Sequence, residues 1–293
     1  MNTTETYWEV DGVSLQTYAW NITTGGRDRT PSIPLRGDNL VVPYAPGAVF
    51  MKKIPDSRSL TLRMWVQGSN ANGTIPTEHY TRQLYEKNVR DLRRLLWSPR
   101  KELTLTKRFW VPIAELTAGG VNIAPLTKVG TYALYSASAK AQFTGGFDPT
   151  MQGGSHATFE VDLTLADPYF YSDELTVSLA VGNRNLTILG DDRTLDVSLE
   201  FVGPRAGITL RNNTIPTEFR YTGTIASGST LTVKVKDFSA NLVTGSTTAN
   251  SVGYVKHNGD SFWLPLEAGT NALIYSATSG SGATTLKYRP VWI

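Results

Sequence analysis

The 293-residue chain contains no cysteine, which removes disulfide frameworks, thiolate metal sites and cysteine nucleophiles together. Its fold must be held by packing and hydrogen bonds. The first residues, MNTTETYWEVDGVSL, carry neither a basic n-region nor an apolar h-region, so no export leader is expected there. Asn21-Ile22-Thr23 and Asn185-Leu186-Thr187 are accordingly read as chance sequons. The apolar runs are too short to cross a bilayer, and no membrane insertion is expected. A strong excess of one charge is also missing: 28 basic against 25 acidic residues leave +3, too little to imply nucleic-acid binding by the chain as a whole. That excess lies in the first half, and residues 82–108 alone hold nine basic and three acidic side chains.

The signatures of catalysis are absent too. No Gly-x-Ser-x-Gly occurs, and His79, His156 and His257 lie far apart without metal-ligand spacing, as befits surface or capping histidines. Asp173-Glu174 and Gly190-Asp191-Asp192-Arg193 have turn composition. Arg36-Gly37-Asp38 matches an adhesion tripeptide, a match expected by chance in a Gly-rich loop. No catalytic residue, cofactor or metal site is expected.

What is present is β-structure. Leu60–Val66 in part, and Thr158–Leu165, Leu195–Phe201 and Leu231–Lys236 throughout, alternate apolar with polar residues, the period of half-buried strands. From Glu78 to Trp97 the period becomes helical, with Thr77 as N-cap, Tyr85, Val89, Leu92 and Leu96 on one face, and Ser98-Pro99 as terminator. Glu86 and Arg90 are expected to form an i,i+4 pair on the solvent side. Such a helix should cover one face of a sheet. Two irregular stretches, Thr23–Pro46 and Ala114–Val129, are longer than ordinary connections; arms exchanged between copies would account for both. At Asp167-Pro168-Tyr169-Phe170-Tyr171 a clean strand meets a proline, and a domain boundary is placed there: 1–167, then an all-β 168–293. The junction should be a short, stiff connector.

The basic run through Arg90, Arg93, Arg94, Arg100, Lys101, Lys107 and Arg108, with Trp97 and Trp110 nearby, has the residue types that contact phosphates and stack on bases. A solvated helix face with both tryptophans in the core explains it more simply, and a subunit contact is a third reading. The 13 tyrosines and 7 tryptophans suit a sugar site, although core packing is their commoner use.

Three features occur in order along the chain. An early strand-rich segment carries one basic amphipathic helix; the Asp167–Tyr171 junction follows; the carboxy-terminal pattern closes the series. That pattern is Trp263-Leu264-Pro265-Leu266-Glu267-Ala268-Gly269-Thr270-Asn271, then Lys287-Tyr288-Arg289-Pro290-Val291-Trp292. Read physically, Pro265 and Gly269 bound a turn in which Gly269 supplies positive φ and Asn271 satisfies backbone groups. Tyr288, Pro290 and Trp292 are expected on one face of the last strand, Arg289 and Val291 on the other, with Trp292 pinned into the core. Together the three features resemble the distal tail protein family of siphophages over nearly the whole chain. Ala268 and Thr270 stand where relatives often have Pro before the glycine and Asn directly after it.

The resemblance implies a mainly β fold. A tail-tube-like β-sandwich with one helix would close into a homo-hexameric ring, and a galectin-like jelly roll would project from it. Arg36, Arg90, Arg93 and Arg94 are the candidate ring contacts. The implied role is structural, at the distal end of the virion tail. Its partners would be the tail tube, the tip hub, the tape-measure protein and receptor-binding proteins, with DNA only in transit through the channel. The alternative is a tail-tip or baseplate protein whose second domain binds host cell-wall carbohydrate.

Overall fold

A computed structural model describes residues 6–23, 31–37, 40–41, 48–49, 53–97, 102–152, 155–258 and 263–293. The chain divides into two compact units. The first comprises Met1–Trp110, Leu134–Phe170 and Ile293, and the second Val111–Ala133 and Tyr171–Trp292. The chain therefore changes unit between Phe170 and Tyr171, and an earlier excursion of the chain also belongs to the second unit.

The first unit is built on a sheet whose strands run Val13–Ser14, Tyr7–Val10, Leu103–Pro112, Tyr132–Gly145, His156–Leu165, Arg58–Gln67 and Trp20–Ile22. Alternation sets the register. Leu60, Leu62, Met64 and Val66 face Leu163, Val161, Phe159 and Ala157 across one antiparallel ladder, and all eight are buried. A slip of one residue would turn the whole set to solvent. The opposite face is polar, where Arg63 donates to Glu160 at 2.8 Å and Thr61 to Asp162 at 2.6 Å. Arg58 continues the apolar face with its side chain 1% exposed. It sits opposite Leu165 and donates from Nη1 to Pro168 O at 3.2 Å.

Helix α1 spans Glu78–Leu96, within one residue of its sequence prediction. Thr81, Tyr85, Asn88, Leu92 and Leu96 form its buried stripe, while Val89 is only half-buried. Asn88 is the addition sequence did not reveal: its Nδ2 donates to Gln67 O at 2.8 Å and Ser69 O at 3.1 Å, tying the helix to the sheet end. Gly68 lets the two approach, because a Cβ there would lie 2.0 Å from Thr81 O. Thr77 is the N-cap residue but makes no side-chain cap bond. Its neighbour Thr81 donates instead to Pro76 O at 2.7 Å. Glu86 pairs with Arg82 at 3.5 Å rather than with Arg90; the arginine one turn earlier takes the carboxylate.

The second unit is a β-sandwich. One sheet orders Leu175–Ser178, Thr284–Tyr288, Val197–Val202, Ser229–Lys234, Ser239–Thr244 and Thr247–Asn250; the other orders Gly182–Ile188, Gly269–Ser276, Arg205–Asn212, Thr217–Ile225 and Val255–Asn258. Their inward residues form one core, in which Phe201 and Phe219 stack at 6.3 Å from opposing sheets. The stretch Ala114–Val129, expected to be an arm, contains helix α2 (Ile113–Ala118) and belongs to this unit. Leu116 is buried, and Gly119 O accepts the Tyr288 hydroxyl at 3.1 Å. The Leu189 side chain fills the space a Cβ on Gly119 would need. Six residues between Pro112 and Gly119-Gly120 are too few to show a helical period.

Candidate interaction surfaces

Of the segment Thr23–Pro46, residues 24–30, 38–39 and 42–46 lie outside the described residues, so the tripeptide's Asp38 does too. Of the rest, Thr23 donates its amide to Arg63 O of the main sheet at 2.8 Å, and the short strands described between Leu35 and Pro55 form a β-arm. Leu35–Arg36 pairs with Ile54–Pro55 and Leu40–Val41 with Ala48–Val49, each pair forming its own two-stranded sheet. Leu35, Arg36 and Ile54 are exposed. Two-stranded ribbons are marginal alone in water.

The second surface lies along the end of α1. Arg90, Arg93, Arg94 and Trp97 line an open groove of about 510 Å³. Expected to be core, Trp97 is instead 54% exposed, because the step from buried Leu96 carries it past the edge of the stripe. It rests on Phe143 at 5.7 Å, tilted by 37°. Arg93 lies over the Phe147 ring at 5.5 Å. Trp110 is half-buried in its strand.

At the junction, Asp167 Oδ1 accepts the Tyr169 amide at 3.3 Å, and Pro168 is held by Arg58. Phe170 is buried edge-on against Trp8 at 5.8 Å. On the second unit's side, Tyr171 lies under Lys236, and Ser172 accepts the Trp292 indole N–H at 2.7 Å.

The carboxy-terminal residues are structural. Trp263 is buried between Phe219 and Phe238, and Pro265 O accepts Asn212 Nδ2 at 3.3 Å. Gly269 has φ 88°, as a turn there requires. Asn271 is fully buried and uses its whole amide. Oδ1 accepts Glu267 N (3.1 Å) and Asn212 Nδ2 (2.9 Å), and Nδ2 donates to Glu267 O (2.7 Å) and Gly269 O (3.2 Å). Past Tyr288 the expected alternation fails: Arg289 is exposed, but Pro290, Val291 and Trp292 are all buried. Proline interrupts the ladder, and Val291–Trp292 forms a separate short strand bridged to Gly190.

His156 and His257 are exposed, in strands of different units, and the His79 side chain lies outside the described residues. Among the described residues no group of His, Asp and Glu gathers as a metal site would, and no helix is long and apolar enough to cross a membrane. In the second unit, Phe201, Phe219, Tyr221, Tyr275 and Tyr288 are core residues rather than a sugar platform.

No family model matches the sequence, and no curated protein does. Among solved structures, the Dit (gp 19.1) protein of phage SPP1 superposes with TM-score 0.58 at 13% identity, covering 98% of this chain and 99% of that one. The two chains share a fold. SPP1 Dit is described as a paradigm of the hub adsorption apparatus in phages that infect Gram-positive bacteria. A chain of the phage P2 baseplate in its activated conformation with Ca aligns over 97% of this chain and 98% of that one, at 9% identity and TM-score 0.37. That score is too low to carry an argument.

Proposed function

We propose that the chain is a structural component of a long-tailed phage, placed at the distal end of the virion tail as a ring joining the tail tube to the tip hub. The observation that carries this reading is the SPP1 Dit fold running through both units over nearly the full length of both chains. The first unit is the ring-forming domain and the second a peripheral one, with Asp167–Tyr171 as a stiff connector. The arm through Leu35–Pro55 supports closure, since its strands pair only with each other among the described residues and a neighbouring copy would complete them. Arg36 on that arm is the proposed contact between copies. Head-to-tail contacts that close a cycle consume every interface and stop filament growth. No turnover is proposed. The tape-measure and receptor-binding proteins are the further proposed partners, and DNA passes only through the channel.

The experiment is mass photometry with negative-stain imaging, alone and with the cognate tube protein. A hexamer of about 193 kDa, six copies of the 32.1 kDa chain, with a visible central channel, is the expected result. A chain that stays monomeric with the tube protein and forms no rings overturns the proposal.

A further inference from the structure

We infer that the groove at the end of α1 is a docking site for an acidic segment of a different protein, one that carries carboxylates beside an aromatic or aliphatic side chain. This inference stands apart from the ring reading, because it rests on how the basic residues of the helix are divided. Earlier on α1, Arg82 and Lys87 have carboxylate partners one turn on, Glu86 at 3.5 Å and Asp91 at 2.8 Å. In the last turns the cations are left over. Arg94 reaches only the already engaged Asp91, at 3.7 Å. Arg90 and Arg93 have no carboxylate within ion-pair distance among the described residues.

The favourable field of the helix carboxyl end accounts for Arg93 and Arg94. It does not account for Arg90, nor for an indole left half in water beside them. An exposed Trp97 on Phe143, with Arg93 over Phe147, has the composition of an interface centre, where tryptophan and arginine are enriched and supply most of the binding energy. Unpaired guanidinium groups around an apolar floor call for a ligand with both carboxylates and an apolar side chain. Arginine forks bind carboxylates in bidentate geometry.

Charge decides between occupants. On a second copy's first unit Glu160 and Asp162 are held by Arg63 and Thr61, and on α1 Glu86 and Asp91 are taken, which leaves exposed Glu102 and Asp148 as separate charges rather than a cluster among the described residues. Nucleic acid fits less well. Three guanidinium groups within five residues cover little more than one helical turn, about 6 Å. The Trp97 and Phe143 rings lean on each other at 37°, so no slot between parallel faces is open to a base.

The test is fluorescence anisotropy on the intact protein with three labelled probes: a short peptide alternating glutamate with leucine and phenylalanine, its glutamine counterpart, and an oligothymidylate. The glutamate peptide should bind saturably and at least about tenfold tighter than the glutamine peptide. Trp97→Ala and Arg93→Glu should each weaken it about tenfold or more, with circular dichroism unchanged. Arg82→Glu, on the same helix but outside the groove, should change it less than about twofold. Absence of saturable binding overturns the inference, as does equal loss in Arg82→Glu. Preference for oligothymidylate reassigns the groove to nucleic acid, and loss of self-association in Arg93→Glu without peptide binding reassigns it to a second copy; both overturn it.

Discussion

Asn271 offers the sharpest test of how the second unit is held. Asn271→Ala deletes four hydrogen bonds at a fully buried position and leaves Asn212, itself buried, with only the 3.3 Å contact to Pro265 O for its Nδ2. At about 0.5–1.5 kcal/mol net for each of the four bonds, the loss should be about 2–6 kcal/mol. For a domain of this size that lowers the midpoint by about 5–20 °C. Asn271→Asp separates hydrogen bonding from packing, because the shape is kept while one oxygen is pressed against the carbonyls of Glu267 and Gly269. Burial and that repulsion both disfavour the ionised form, so the introduced carboxyl should titrate above its unfolded value of about 4. The sign follows. Below that value the protonated group can still donate to Glu267 O and the penalty is small; the penalty grows as pH rises towards the folded value and then levels off. Urea unfolding at about pH 4 and pH 7 measures both effects. A loss below about 1 kcal/mol in Asn271→Ala, or an Asn271→Asp deficit that is the same at both pH values, would refute the reasoning.

Three further outcomes are expected. Gly68→Ala should cost about 2–4 kcal/mol by urea unfolding, since its Cβ meets a backbone oxygen of α1 and the helix must back away; a neutral result would mean the helix is not seated on the sheet end. Arg58→Met should leave the protein as stable, or up to about 2 kcal/mol more stable, because this buried cation has Nε and Nη2 without hydrogen-bond partners among the described residues and burial lowers its pKa. A clear loss there would assign it a partner. Lys287 has its pKa raised above 10.5 chiefly by its hydrogen bond to Glu200. Its contribution should be complete below that pH and vanish as pH rises through the folded value, so Glu200→Gln should flatten the alkaline limb of the stability curve.

Strands were legible where pairing and burial agree with alternation, as in Leu60–Val66 against Ala157–Leu163. The helix was legible because nineteen residues give several turns of one period. Exceptions arose where a residue's type and its position disagree. Alternation places Arg58 inward although its charge argues outward, and Asn88 sits in an apolar stripe because two strand-end carbonyls need a donor. Trp97 departs from the core position its sequence suggests, because an aromatic residue next to a buried leucine reads as core whereas the helical step turns it outward. Pairing in the Leu35–Pro55 arm joins residues almost twenty apart, beyond what a local pattern can register. The candidate surface on α1 was visible as a basic run, but the division between paired and unpaired cations was not.

The order in which the chain is synthesised meets an obstacle in the fold. Residues 111–133 leave the ribosome well before Leu189 and Tyr288, the side chains against which Gly119 rests. Strand Thr284–Tyr288 then slots between Leu175–Ser178 and Val197–Val202, in the interior of its sheet rather than at an edge. Meanwhile Lys107 of the first unit donates to Ile293 O at 3.1 Å. A chain interrupted before Thr284 therefore lacks an inner strand of one unit and this tether in the other. Growing chains must hold an unfilled sheet until the last strands emerge, and a truncated copy could not finish its second unit.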